Sequence, residues 1–170
     1  MRMWITIPAL LTIAGCARFM RSEPQPDPAA EFAQIEQTAD SLAERMADAI
    51  SRRDAQALAW LYVEHPYAAY ISDGLRIPQS RILDVVGESY SALERLDFDW
   101  ERTQTLVLGR DAAAMTAWAI YTSVDTLGAA RRERAVYSHV LVRERGRWKF
   151  LSTHKSAVER LPIPANENRE

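Results

Sequence analysis

Apolar residues in the first half of the chain recur with a helical period. Asp27-Pro28 is a typical helix start, with Asp as the N-cap residue and Pro in the first turn. The apolar positions that follow, three or four residues apart, predict one amphipathic helix over residues 28–52: Phe32, Ile35, Ala39, Leu42, Met46 and Ala49. Asp54 is expected to cap a second, shorter helix that ends before Pro66, and Pro78 to open a third.

The second half of the chain is divided by turn residues into segments of strand length. A short strand over residues 67–72 precedes the turn Asp73-Gly74. Four longer strands are predicted over residues 97–108, 112–126, 130–144 and 147–157. Helices followed by a strand meander predict an α+β domain over residues 28–160, in which a curved antiparallel sheet wraps around the N-terminal helices.

The N-terminal sixteen residues, MRMWITIPALLTIAGC, have the pattern of a secretory signal. Their apolar run is shorter than the about 20 residues that a membrane-spanning helix needs. The segment Ile13-Ala14-Gly15-Cys16 resembles the lipobox of bacterial lipoproteins. The resemblance implies that residues 1–15 are removed and that Cys16, the only cysteine, carries the lipid. The alternative is an ordinary signal peptide with a chance cysteine.

The segments that flank the domain are polar or rich in proline. Residues 16–27 contain Pro24 and Pro26, which favour an extended tether, and residues 161–170 are expected to form a polar tail. By resemblance to Gram-negative lipoproteins, Ala17 after the cysteine implies an anchor in the outer membrane. We therefore expect a lipid-anchored protein of the bacterial cell envelope that faces the periplasm and contacts the membrane through Cys16.

Composition narrows the classes of function. The chain is 48% hydrophobic and 26% charged, with a net charge of −2 and mixed signs, which is typical of a globular domain and argues against nucleic acid as a partner. Its three histidines, His65, His139 and His154, do not have the spacing of metal ligands. Neither a glycine-rich phosphate loop nor a nucleophile elbow is present, so no metal and no cofactor are predicted.

Two segments resemble a known family. The ending GRWKFLSTHKS (residues 146–156) resembles the last strand of the SnoaL-like branch of the nuclear transport factor 2-like superfamily, and ISRRDAQALAWLY (residues 50–62) resembles its early helix pair. The resemblance covers residues 28–158. It implies a cone, in which the sheet curls around the helices and leaves a pocket at the open end.

Strand parity predicts the walls of that pocket. Two-residue turns at Gly128-Ala129 and Arg145-Gly146 would place Tyr137 opposite Ile120 on one side and opposite His154 on the other. Together with Trp60 and Trp100, the bulkier face of these strands supplies the predicted pocket residues: Trp60, Trp100, Trp118, Ile120, Tyr137, His139, Phe150 and His154. The opposite face would carry smaller side chains and is the expected surface of a homodimer: Ala117, Ala119, Val136 and Val140.

The strand over residues 97–108 admits two registers. In one register, Asp99 and Glu101 point into the cone. In the other, which requires a bulge or a three-residue turn, the inward side chains are Phe98, Trp100, Arg102 and Leu106. The apolar content of the second set favours it. No carboxylate is then secure inside the pocket, although ketosteroid isomerase, of the same superfamily, needs an Asp base there.

Three functions are compatible with these residues. The first is a non-catalytic domain that binds a small apolar molecule or an accessory partner, and the lack of a secure carboxylate favours it. The second is an acid–base enzyme of the isomerase, dehydratase or hydrolase type, with His154, Tyr137, His139 and Asp99 as candidates. The third is a dimeric protein-interaction module. For His154 itself, a hydrogen-bonded place in the pocket wall is favoured over a role as general base.

Overall fold

A computed structural model describes residues 27–163 of the chain. Three helices and six strands follow one another in the order α1 (Pro28–Ser51), α2 (Ala55–Trp60), β1 (Ala69–Ser72), β2 (Leu75–Pro78), α3 (Gln79–Ser91), β3 (Leu93–Gly109), β4 (Ala112–Asp125), β5 (Ala130–Glu144) and β6 (Arg147–Arg160). The predicted leader 1–15, Cys16, the tether up to residue 26 and residues 164–170 of the tail lie outside the described residues. Within 27–163, no helix is long and apolar enough to cross a membrane.

The two N-terminal helices begin at the aspartates that the sequence indicates. The Asp27 carboxylate accepts a hydrogen bond from the Ala29 backbone N–H at 3.0 Å, and the Asp54 carboxylate accepts one from that of Ala57 at 2.8 Å. The predicted apolar stripe of α1 is buried except at its first position, where Phe32 is 43% exposed. Burial of that stripe is what holds α1 against the sheet.

The strands form one curved, unclosed sheet in the order β2-β1-β6-β5-β4-β3. All neighbours are antiparallel except β1 and β6, which run parallel. The core lies between α1 and the concave face, and its central side chains Tyr62, Met46 and Phe150 are fully buried. The predicted α+β architecture is therefore confirmed.

Two elements, one at each edge of the sheet, differ from the prediction. A second short strand, β2, follows the turn because Asp73 and Gly74 both adopt positive φ angles, 49° and 86°, which suit a two-residue hairpin. The strand β3 begins at Leu93, four residues before the predicted start at residue 97. Both changes lengthen the sheet around the open end of the cone.

The pairing of β4 with β5 differs from the predicted register by three positions. The turn is five residues long, from Asp125 to Ala129, and Val124 pairs with Ala130. The Asp125 carboxylate closes this turn by accepting hydrogen bonds from the backbone N–H groups of Leu127 at 2.9 Å and Ala129 at 2.8 Å. Because three is an odd number, the shift exchanges the two faces of β4.

The pairing of β5 with β6 matches the prediction only near the turn. Leu141 lies opposite Phe150, as expected from the turn at residues 145 and 146. A bulge then places Val140 opposite Ser152, so that Leu151 is the extra residue on β6. From that point each inward position on β6 moves by one residue, and Lys155 takes the place opposite Tyr137 that was predicted for His154.

Candidate functional site

A pocket of about 350 Å³ opens between the helices and the concave face of the sheet. Every helix and every strand contributes to its wall. Most of the lining side chains are apolar: Met46, Ile50, Leu58, Leu75, Ile77, Val85, Val86, Leu93, Leu96 and Phe98. Such a wall favours a ligand with an apolar body, because transfer of that body out of water drives binding.

Four of the eight polar lining residues are tyrosines: Tyr70, Tyr90, Tyr121 and Tyr137. Burial raises the pKa of all four phenols and brings that of Tyr70 to about 12. The hydroxyl groups therefore stay protonated at neutral pH. Those of Tyr70, Tyr90 and Tyr137 can donate hydrogen bonds to an oxygen of a ligand without bringing a negative charge into the pocket.

One lysine brings a positive charge to this wall. Lys155 is partly buried, and its Nζ donates a hydrogen bond at 3.0 Å to the hydroxyl oxygen of Tyr121, which in turn donates to the Glu133 carboxylate. Burial lowers the pKa of Lys155, while the nearby charges of Asp73 and Glu133 act in the opposite direction. Among the described residues, Lys155 is the only charged side chain that lines the pocket.

His139 lies in the core behind Tyr137 and does not line the pocket. Its Nδ1 is 3.0 Å from the Thr153 hydroxyl oxygen, its ring stacks on Tyr137 with centroids 5.9 Å apart, and its side chain is 2% exposed. Burial lowers the pKa of His139 to about 3. The imidazole is therefore neutral near pH 7 and has no access to a ligand in the pocket.

Of the eight predicted pocket residues, Tyr137 alone lines this cavity among the described residues. Trp100 and Phe150 share its face of the sheet with His139 but pack below it in the core. The Trp100 ring is held there by a 2.8 Å hydrogen bond from its Nε1 to the Ala43 carbonyl oxygen. These four side chains therefore share the inward face of the sheet, and three of them pack in the core and do not line the pocket.

The other four predicted pocket residues lie elsewhere. His154 is exposed and pairs with Ser138 on the convex face, because of the Leu151 bulge, so its predicted place beside Tyr137 is wrong. Trp118 and Ile120 are on the convex face as well, because of the five-residue turn after β4. Trp60 is 71% exposed at the end of α2 and lines a different cleft.

The strand β3 follows neither predicted register along its whole length. Phe98 and Trp100 face the core, and Asp99 is exposed on the convex face. A bulge between Trp100 and Arg102 then reverses the alternation, so that Arg102 lies over the Trp118 ring on the outside at 3.7 Å, and Leu106 is 64% exposed. The predicted inward positions of Arg102 and Leu106 are wrong for this reason.

The expected dimer surface also changes in composition. Ala117 and Ala119 are fully buried against the helices, and Trp118 and Ile120 replace them on the convex face beside Val136 and Val140. The face is thus bulkier than predicted. Its role in dimerisation stays a prediction.

Sequence reasoning missed Lys155, Tyr121, Tyr70 and Tyr90 as pocket residues. One signal for Tyr121 was present, since an Asp four residues before Ala129 with an intervening Gly128 suits a longer, capped turn. The Leu151 bulge has no comparable signal. Lys155 could have been noticed only as one of two lysines in a chain with nineteen arginines.

A model of the SnoaL-like domain family matches residues 39–159, which is more than half of the chain. The chain belongs to the SnoaL-like family. A search of curated protein sequences found no match for this SnoaL-like chain.

Solved structures of the nuclear transport factor 2-like superfamily have the same fold. Hexachlorocyclohexane dehydrochlorinase LinA-type3 from Novosphingobium barchaimii LL02 superposes with a TM-score of 0.70 at 13% identity, over 81% of this chain and 95% of that one. A superfamily protein from Salmonella enterica serovar Typhimurium LT2 gives 0.69 at 16% identity, over 79% and 98%. A protein of unknown function from Mycobacterium tuberculosis gives 0.68 at 16% identity, over 78% and 77%. At these identities the likeness establishes the fold alone.

Proposed function

We propose that this SnoaL-like domain binds a small molecule with an apolar body and one oxygen-bearing polar group. The observation that carries the proposal is the composition of the pocket, in which apolar side chains and neutral phenols surround one partly buried ammonium group, that of Lys155. The body of the ligand would lie against the apolar wall. Its carboxylate or carbonyl oxygen would accept hydrogen bonds from Lys155 and a neighbouring tyrosine.

The positions of three of the four acid–base candidates support binding without catalysis, whereas the fourth, Tyr137, lines the pocket with a phenol whose pKa is raised by burial. His154 and Asp99 are exposed on the convex face, and His139 is sealed in the core with a lowered pKa. A general base must reach a proton of the substrate directly or through one water molecule, and these three groups cannot do so from their positions.

The cellular setting is part of the same proposal. A lipid on Cys16 would hold the domain at the periplasmic face of the outer membrane, with residues 16–27 as the tether. The domain would then sample apolar molecules close to the membrane from which they come.

An acid–base enzyme is the second candidate, and one observation favours it. The lowered pKa of Lys155 and its hydrogen bond to Tyr121 are features of a general base beside a proton donor. A dehydrochlorinase also shares the fold. In this alternative Lys155 would remove a proton from the bound molecule, and Tyr121 would pass a proton between Lys155 and Glu133.

The binding proposal is tested by a pair of probes that differ in charge. Isothermal titration calorimetry with the full chain in a neutral detergent compares 4-phenylbutanoate with 4-phenylbutanol. Lys155→Met should weaken binding of the carboxylate about tenfold or more, because a hydrogen bond to a charged group contributes about 1.5–3 kcal/mol. Binding of the alcohol should change little. Lys149→Met removes the only other lysine and is the matched control.

A second pair of variants tests whether the probes bind in the apolar pocket. Ser89 lies on α3 and lines the pocket, while Ser91, on the same helix, does not. Ser89→Trp should block binding of both probes, and Ser91→Trp should not. Equal affinities in all four variants would contradict the proposal. Turnover of a carbonyl substrate that is lost in Lys155→Met and Tyr121→Phe would favour the enzyme instead.

A further inference from the structure

A second cleft, of about 480 Å³, lies at the end of the domain where α1 begins. Its walls are residues 31–45 of α1, the end of α2 and the two tight turns that join β3 to β4 and β5 to β6. It shares no lining residue with the apolar pocket. The cleft is therefore a separate feature with its own chemistry.

Positive charge is concentrated in this cleft. Five cationic side chains line it, Arg45, Arg110, Arg143, Arg147 and Lys149, and Glu31 is the one carboxylate among its lining residues, so its formal charge is five minus one, or +4. The whole chain carries a net charge of −2. Like charges held this close repel one another unless an anion is bound between them.

The partners within the domain neutralise little of this charge. Arg110 pairs with Glu31 at 3.3 Å, and the Lys149 ammonium donates to the Tyr62 carbonyl oxygen at 3.1 Å. Within residues 27–163, Arg45, Arg143 and Arg147 have no carboxylate at ion-pair distance. Three guanidinium groups from α1 and the β5–β6 hairpin thus remain available to an anion.

Two tryptophans add flat apolar surface beside these cations. Trp148 is partly buried against the core, and Trp60 is 71% exposed. An indole ring left open to water next to arginines is a surface on which a planar or apolar group of a ligand can stack. The cleft therefore offers contacts to an organic body as well as to an anion.

We propose that this cleft binds an organic phosphate, with the phosphate oxygens on Arg143 and Arg147 and the organic group against Trp60. A diphosphate offsets most of the four net positive charges, more than a single carboxylate or phosphodiester does. The planar fork of arginine matches pairs of phosphate oxygens. The ligand is either a soluble phosphate ester or a phospholipid headgroup, and the experiment separates these two sources.

The test is calorimetric titration of the full chain, in a neutral detergent, with inorganic pyrophosphate and with adenosine diphosphate. The double variant Arg143→Gln/Arg147→Gln should bind both about tenfold or more weakly, because two charge-assisted contacts are lost. The control Arg81→Gln/Arg131→Gln makes the same change in net charge outside the cleft and should bind as the wild type does. Circular dichroism checks that each variant is folded.

A second variant tests the proposed contact with Trp60 separately from the arginine contacts. Trp60→Ser should weaken the binding of adenosine diphosphate and leave that of pyrophosphate unchanged, since pyrophosphate has no group to stack. If the double arginine variant fails to fold, this contrast still decides the proposal. Loss of affinity for both ligands in the Arg81/Arg131 control, or unchanged affinity in both cleft variants, would overturn it.

Vesicles then identify the source of the phosphate. Phosphatidylglycerol vesicles that displace pyrophosphate, where phosphatidylcholine vesicles do not, assign the cleft to an anionic lipid headgroup. Failure of both kinds of vesicle to displace pyrophosphate assigns it to a soluble phosphate ester. The probes differ from those of the apolar pocket, so the two proposals fail independently of each other.

Discussion

The buried imidazole of His139 should make the stability of the domain depend on pH. Burial lowers its pKa in the folded state to about 3, whereas an unfolded histidine has a pKa of about 6.5. Between these two values the unfolded chain binds one more proton than the folded chain. Stability is therefore fully present above the unfolded pKa and falls as the pH drops below it.

The size of the effect follows from the two pKa values. Taking the pH from 8 to 5 should remove about 2 kcal/mol from the free energy of unfolding through this one group. That is a large share of the about 5–15 kcal/mol by which domains are stable.

Urea unfolding at a series of pH values measures this slope. His139→Gln keeps an amide that can bond to Thr153 but cannot gain a proton, so its free energy of unfolding should change about 2 kcal/mol less over the same range. His154→Gln makes the same substitution at an exposed position and is the matched control. Equal slopes in the wild type and His139→Gln would refute the buried, neutral histidine and the core position derived for it.

Three further results are expected. Phe150→Ala should lower the free energy of unfolding by about 3–5 kcal/mol, because a fully buried ring leaves a cavity, while Phe32→Ala, at a position 43% exposed, should cost far less in the same urea titration. Cys16→Ser should prevent removal of residues 1–15 or attachment of the lipid, and mass spectrometry that finds an unmodified Cys16 in the membrane-extracted wild type would contradict the lipoprotein interpretation. Trp118→Arg on the convex face should dissociate the expected homodimer in analytical ultracentrifugation, and a wild type that is monomeric at high concentration would argue against that dimer.

The helices, the order of the elements except β2, and the class of fold were readable from local pattern. The apolar stripe from Ile35 to Ala49, the caps Asp27 and Asp54 and the alternation along the strands depend on residues close together in the chain. Each signal lies within a single helix or a single hairpin. The SnoaL-like resemblance rests on the same local segments, which is why it survived the errors in register.

The faces of the strands, and with them the pocket, were decided by the tertiary structure. The pairing registers that a two-residue and a five-residue turn after β4 produce differ by three positions, an odd number. The turn capped by Asp125 is the five-residue one. The sequence contains no local signal for the Leu151 bulge. This bulge places Thr153 against His139 and Lys155 opposite Tyr137. Side chains alternate with a period of two, so one extra residue moves every later side chain to the other face. The bulge at Leu151 therefore made Lys155 a pocket residue and left His154 in solvent.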